Sequence, residues 1–287
     1  MRSLKWYFLL LPAYFFIFTF YIAPILGVFT LSFAKWAIIS EPKFIGAKNY
    51  IRLVKDEVFL ISLRNTLLFT AILLPSLLMT SLLIALLLYK LTKGIEAFAS
   101  AYYLPMVVAI VITATIWRVL YSPFGYLNQF LRMFNLPRVI FLSEELVIPS
   151  ISLTLIWRDT GYFSLFIYSA LLSIPKSILD AAELDCLNSY QKYRYVILPM
   201  MKPVLFFLSL YITIGCFMIF AIVYVMTGGG PGYASMTLLN YMYETGWRYF
   251  QMGYAAAQSA VFLCLIILMY YIQRRLVGGG GVYGYYE

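Results

Sequence analysis

Six apolar runs, at roughly 6–33, 66–89, 97–117, 147–174, 204–226 and 252–272, are near or above the twenty or so helical residues needed to cross a hydrocarbon core about 30 Å thick. In lipid every backbone N–H and C=O must be paired within the protein, so only helices or a closed barrel can span. Barrel strands alternate polar and apolar side chains over about ten residues, and none of these runs does. The pattern predicts an all-α integral membrane protein with six transmembrane helices. Composition agrees: 63% of the 287 residues are apolar and 11% charged, with a mean hydropathy of +0.86. A soluble domain is about 45–50% apolar.

Pro12, Pro24, Pro75 and Pro105 fall inside the runs. Neighbouring membrane helices can re-satisfy the carbonyls that proline frees, so kinks are expected there. The first run follows Arg2 and Lys5, as a secretory signal would. It is far longer than a 7–15-residue signal core and lacks a small-residue cleavage site, so it reads as a helix that stays.

The residues available for chemistry are few. Cys186, Cys216 and Cys264 are too far apart to suggest a disulfide framework or a thiol–metal pair. Histidine is absent and the acids do not fall at ligand spacing, which argues against metal sites, bound cofactors and acid–base catalysis. The net charge of +9 fits basic residues flanking membrane helices rather than a nucleic-acid surface. Charge gives only a weak orientation: the tight turn with Lys90 and Lys93 favours that side as cytoplasmic, while six basic residues lie between Lys35 and Arg64 on the other.

Asp180 to Pro203 is the exception, a charged, amphipathic island among apolar runs. Ser177 is placed to cap a short helix, with Asp180, Glu183 and Asp185 near its positive end. A second helical stretch, about 189–197, carries Lys192 and Arg194 and stops at Pro199. Two short helices joined by a turn form a knob able to enter a partner's groove. An interfacial loop with no partner reads equally well from spacing alone.

The residues of this island resemble the EAA motif of ABC importer permeases: Asp180-Ala181-Ala182, Glu183-Leu184-Asp185, Cys186, then Val196 and Leu198-Pro199. Asp180 stands where the motif has Glu, and Cys186 where it has Gly. Glycine accepts a positive φ at a turn, so cysteine implies either a different turn or strain. Further signatures are Phe44-Ile45-Gly46-Ala47-Lys48-Asn49-Tyr50, Asn65-Thr66, Ile174-Pro175, Met226-Thr227-Gly228-Gly229-Gly230-Pro231 and Gly253-Tyr254-Ala255. Together they are similar to the maltose-type, carbohydrate-importing branch over nearly the whole chain.

That resemblance implies a type I importer permease fold and one of two homologous permease subunits, a heterodimer, in a bacterial plasma membrane with both termini cytoplasmic. Two ATPase subunits would bind the inner loops and would themselves hold ATP and Mg, with no cofactor in this chain. An external solute-binding protein would deliver a carbohydrate. This chain lacks the G-x-x-x-x-G-K-[ST] phosphate loop, so hydrolysis belongs to the partners and the permease is not an enzyme. The domains implied are a first helix with its external connection at 1–65, a core of five helices at 66–275 with the coupling loop at about 176–203, and a tail at 276–287. Asp180, Ala181, Ala182, Glu183, Asp185 and Cys186 would meet the ATPase, with Leu198 and Pro199 anchoring the knob. Alternating access would follow from ATP-driven movement of that knob.

Helical spacing places Tyr211, Ile214, Gly215 and Met218 on one face of the fifth run, a candidate solute path or a packing seam. Gly228, Gly229, Gly230 and Pro231 open an external loop expected to receive the binding protein. Arg158 and Asp159 interrupt the fourth run, facing either a cavity or subunit seam, or the outer mouth of a shorter helix. The alternatives are a transporter or channel working without ATP, for which Asp159 is the one midplane acid, and an importer of a non-sugar solute such as glycerol phosphate.

Overall fold

The computed structural model describes residues 4–91, 93–186 and 188–276; the Gly- and Tyr-rich end of the chain lies outside them. The first run forms α1 (Leu4–Ile17) and α2 (Ala23–Ser32), joined by a π-helical turn at Phe18–Ile22. Pro24 follows that turn inside one continuous helix, where the wider π-helical turn absorbs the bond that the missing N–H cannot make. Strands β1 (Ala34–Lys35) and β2 (Lys43–Phe44) pair antiparallel, Ala34 opposite Phe44, ahead of α3 (Lys48–Lys55). Helix α4 (Glu57–Lys90) begins well before the apolar run at 66 and passes unbroken through Pro75.

The third run does not cross as one rod. Its two pieces, α5 (Ile95–Val107) and α6 (Ile110–Leu120), meet at a 90° bend. The kink expected at Pro105 is displaced, because Val108 and Ala109 are both extended and end the helix just beyond the proline. Then come α7 (Tyr126–Met133), α8 (Val147–Leu172), and α9 (Lys176–Leu184) bent 71° from α8. Helix α10 (Ser189–Lys192) runs through a π-helical turn, Tyr193–Ile197, into α11 (Leu198–Phe217). The second half of the island therefore does not stop at Pro199, which follows the π-helical turn inside one continuous helix, where the wider turn absorbs the bond that its missing N–H cannot make. Short α12 (Ala221–Met226) and α13 (Leu238–Tyr243) precede α14 (Met252–Leu276). Among the described residues, four helical stretches are long and apolar enough to cross a membrane, or up to six if each bent pair is one span.

By contacts the chain groups into two units. Of the described residues, one unit holds 4–60 with Asn240–Leu265, and the other holds Ile61–Leu239 with 266–276. The signature residues are the joints of each unit. In the first, Asn49 Nδ2 donates to the carbonyls of Ser32, Ala34 and Gly253 at 2.8, 3.0 and 3.2 Å. A Cβ on Gly253 would collide with the Ala34 carbonyl, which is why glycine stands there. Asp56 caps α4 through the Phe59 N–H at 3.1 Å and accepts the hydroxyls of Tyr241 at 2.7 Å and Tyr254 at 2.5 Å. Burial alone would raise the Asp56 carboxyl's pKa. The tyrosine and backbone donors outweigh it and hold the group below its ordinary value.

In the second unit, Asn65 Nδ2 donates to the carbonyls of Tyr233 and Met236 at 2.9 and 3.0 Å, and the Thr66 hydroxyl accepts the Leu238 N–H at 3.0 Å. Its core includes Phe69, Leu73, Ile151, Ile167, Met201 and Leu208, all nearly inaccessible. Helices α5 and α8 approach closely at Gly161, where a Cβ would run into the Tyr102 carbonyl. Beside it the Thr80 and Thr160 hydroxyls meet at 3.0 Å and Ser81 donates to the Thr160 carbonyl at 3.1 Å. Gly161→Ala should therefore cost stability at the upper end of the ~1–3 kcal/mol typical of overpacking, because the obstacle is backbone. A melting temperature equal to that of the unsubstituted protein would refute this contact.

Candidate functional site

Three regions carry the sequence-derived site residues. The first is a cavity of about 340 Å³ whose wall includes Arg158, Asp159, Tyr162, Tyr211, Gly215 and Met218. It is made by a break in the fifth span: α11 ends at Phe217, α12 begins at Ala221, and the Ile219 carbonyl freed between them accepts the Thr237 hydroxyl at 2.8 Å. Irregular backbone is tolerated in a membrane where it lines a cavity. Of the four residues read from helical spacing, Tyr211, Gly215 and Met218 reach the cavity wall, and Ile214 is exposed outside it. A Cβ on Gly215 would meet nothing within 4 Å, so this glycine is not needed for packing within the chain. Gly161 has that task.

Arg158 and Asp159 lie midway along α8 and face this cavity rather than an outer mouth. Arg158 Nη1 donates to Asp159 Oδ1 at 2.7 Å, with the side chains 15% and 20% exposed. Arg158 Nε is buried with no hydrogen-bond partner among the described residues. The pair supplies donors and acceptors at no net charge, in a wall otherwise apolar and aromatic. Tyr162 is the residue that spacing missed: it follows Arg158 by one helical turn and so shares its face.

The second region is the knob. Pro175, not Ser177, occupies the N-cap of α9, and no side chain caps it. Glu183 Oε1 accepts Lys192 Nζ at 2.7 Å, closing α9 onto α10. That ammonium group holds the Glu183 carboxyl below its ordinary pKa. Asp180, Ala181, Glu183, Asp185 and Cys186 are exposed, whereas Ala182 is buried within the chain and offers no surface to a partner. Leu198 and Pro199 are half-buried where the knob joins α11. Leu184, at the tip, is 85% exposed, an apolar contact that a reading centred on the acids passed over.

Cys186 has φ +55°. The turn is thus the left-handed one that glycine favours, kept with a cysteine in place and therefore strained. Cys186→Gly should stabilise the knob by about 1 kcal/mol, read as a small rise in the melting temperature of the purified protein. A fall would show that the cysteine side chain holds the turn.

The third region is the 227–237 loop. Gly228, Gly229 and Gly232 have φ of +61°, +88° and +52°, and the Gly230–Pro231 bond is cis. Ser235 Oγ meets Thr227 Oγ1 and donates to the Gly230 carbonyl, each at 2.7 Å. With Asn65 holding Tyr233 and Met236, the glycine run is a braced turn rather than a slack linker.

The family described as "Binding-protein-dependent transport system inner membrane component" matches residues 58–278. The chain belongs to this permease family. Among its relatives is the probable ABC transporter permease protein YurN of Bacillus subtilis, 30% identical over 268 residues and 91% of each chain. The trehalose/maltose transport system permease protein MalF of Thermococcus litoralis is 28% identical, covering 91% of this chain and 88% of that one. The sn-glycerol-3-phosphate permease UgpA of Yersinia pestis is 29% identical over 78% of this chain and 77% of its own. The fold matches a permease chain of a bacterial alginate ABC transporter with a TM-score of 0.81, 24% identity and 96% of both chains. The expected type I importer fold is therefore established. The permease is an inner-membrane, multi-pass transport subunit.

Proposed function

We propose that this permease is one of two homologous membrane subunits of an ATP-driven importer of a neutral carbohydrate, loaded by an external solute-binding protein. The cavity at the break between α11 and α12 is the observation that carries the reading. Tyrosine rings offer platforms for sugar faces, and the Arg158–Asp159 pair presents multiple donors and acceptors to hydroxyls. The trehalose/maltose relative supports a saccharide. The glycerol-phosphate relative makes an anionic solute the second reading, but here the guanidinium facing the cavity is already neutralised by Asp159.

Coupling runs through the knob. Asp180, Glu183, Asp185 and Leu184 form the surface for a partner ATPase, Ala181 and Cys186 flank it, and Leu198 and Pro199 transmit its movement into α11, whose far end lines the cavity. ATP and Mg belong to two ATPase partners, and both termini lie with the knob on the cytoplasmic side. The 228–231 turn faces outward to the binding protein.

Reconstitution with its ATPase, second permease and binding-protein partners should give ATP-dependent accumulation of radiolabelled maltose or trehalose in vesicles. Accumulation of glycerol phosphate in place of either sugar would favour the second reading, and accumulation without ATP would reject an importer of this class. Leu184→Glu should weaken ATPase co-purification by about 2 kcal/mol, roughly thirtyfold, as for an interface hot spot, with the chain still inserted. Unchanged co-purification would remove the knob tip from the interface.

A further inference from the structure

Between α6 and α8 lies a braced loop to which the proposed function assigns no role. Asn128, on the inner side of α7, donates through Nδ2 to the carbonyls of Ser122 at 3.2 Å and Val139 at 2.9 Å, and its Oδ1 accepts the Val139 N–H at 2.9 Å. These bonds fix the returning segment beside the helix and leave a cleft of about 400 Å³ lined by Phe124, Gln129, Arg132, Leu136 and Arg138. The Arg138 guanidinium stacks over the Phe124 ring at 4.5 Å, and Gln129 Nε2 donates to the Phe124 carbonyl at 3.1 Å. Neither Arg132 nor Arg138 makes an ion pair among the described residues. The nearby acid Glu144 lies instead against the Gly232 turn.

The outward side of α7 is apolar. Tyr126, Phe130, Met133 and Phe134 are 69%, 58%, 79% and 63% exposed. They recur at i, i+4, i+7 and i+8, one face of a helix, and the rings of Phe130 and Phe134 meet edge to face at 5.1 Å. Two uncompensated guanidiniums beside an aromatic stripe, in a loop joining two membrane-associated helices, fit the bilayer interface, where arginine heads reach the headgroups and aromatic rings sit at their level.

We propose that this cleft binds the phosphate of an anionic phospholipid, with the acyl chains lying along Tyr126, Phe130, Met133 and Phe134. Arginine forks match phosphate oxygens two at a time, and the stripe beside them suits a ligand that carries hydrocarbon as well as charge. Free phosphate would leave that stripe uncovered. An acidic protein partner would have to exclude lipid from it.

Native mass spectrometry of the full chain, with its co-purifying partners, should show binding of dioleoyl-phosphatidylglycerol in preference to dioleoyl-phosphatidylcholine. The doubly substituted R132Q/R138Q protein should lose about thirtyfold or more in affinity for the anionic lipid, as for the loss of charge-assisted hydrogen bonds to its phosphate, with phosphatidylcholine binding unchanged. The proposal is overturned if the unsubstituted protein has no such preference, if the preference survives both substitutions, or if millimolar inorganic phosphate displaces the lipid. A benzoylphenylalanine photocrosslinker at Met133, which leaves both arginines intact, gives an independent readout in native membranes. A lipid-mass adduct is expected. A crosslink to another protein would assign the face to protein docking and overturn the lipid site.

Discussion

Gly215→Trp should reduce uptake to background while the complex still assembles and hydrolyses ATP. Position 215 lines the cavity, and a Cβ there would find nothing within 4 Å, so a side chain at this position starts in open space and extends into the cavity. The cavity it would occupy measures about 340 Å³, and a bicyclic ring there leaves too little room for a sugar between Tyr211 and the Arg158–Asp159 pair. Gly215→Ala is the matching control, since one methyl has free space and should be tolerated in both uptake and assembly. If the Trp protein transports normally, solute takes another route; if it fails to assemble, the face is a subunit seam.

Asp159→Asn should strongly destabilise the protein. It leaves the Arg158 guanidinium, 15% exposed and with a buried Nε that already lacks a hydrogen-bond partner among the described residues, without its counter-charge inside a membrane helix. Breaking a buried pair from one side costs about 3–5 kcal/mol. Removing both charges in R158Q/D159N should recover much of that loss, because no uncompensated charge remains. The check is a thermal melt of the purified single and double variants. Equal melting temperatures for the single variant and the unsubstituted protein would mean that the pair does not function as a buried ion pair. If the pair also contacts solute, the double variant will be stable yet poor in uptake, which separates a binding role from a structural one.

The signature residues show what a sequence motif conceals. Asn49, Asn65, Thr66 and Gly253 were legible as a resemblance, but their purpose was not. Asn49 holds three carbonyls from two distant segments, and Asn65 holds the loop at 233–236. Such bonds join positions far apart in the chain, and no local periodicity encodes them. The same holds for the two glycines of greatest consequence. Gly161 and Gly215 look alike in sequence, yet one faces the Tyr102 carbonyl and the other faces open space.

The sequence by itself determined the class, the approximate spans and the family, because a hydrocarbon solvent imposes long apolar helices whatever they pack against, and the island at 180–203 stands out by charge alone. It also placed Arg158 and Asp159 within the fourth span. Only the tertiary structure decided that they face a cavity, that the third run turns through 90°, and that the fifth span breaks after Phe217 to make the cavity wall. Those outcomes depend on which side of each helix meets another helix and on where a freed carbonyl finds a donor, as Ile219 does in Thr237. In runs that are apolar on every side, hydrophobicity does not mark the buried face, so the choice falls to packing and to a few hydrogen bonds across the chain.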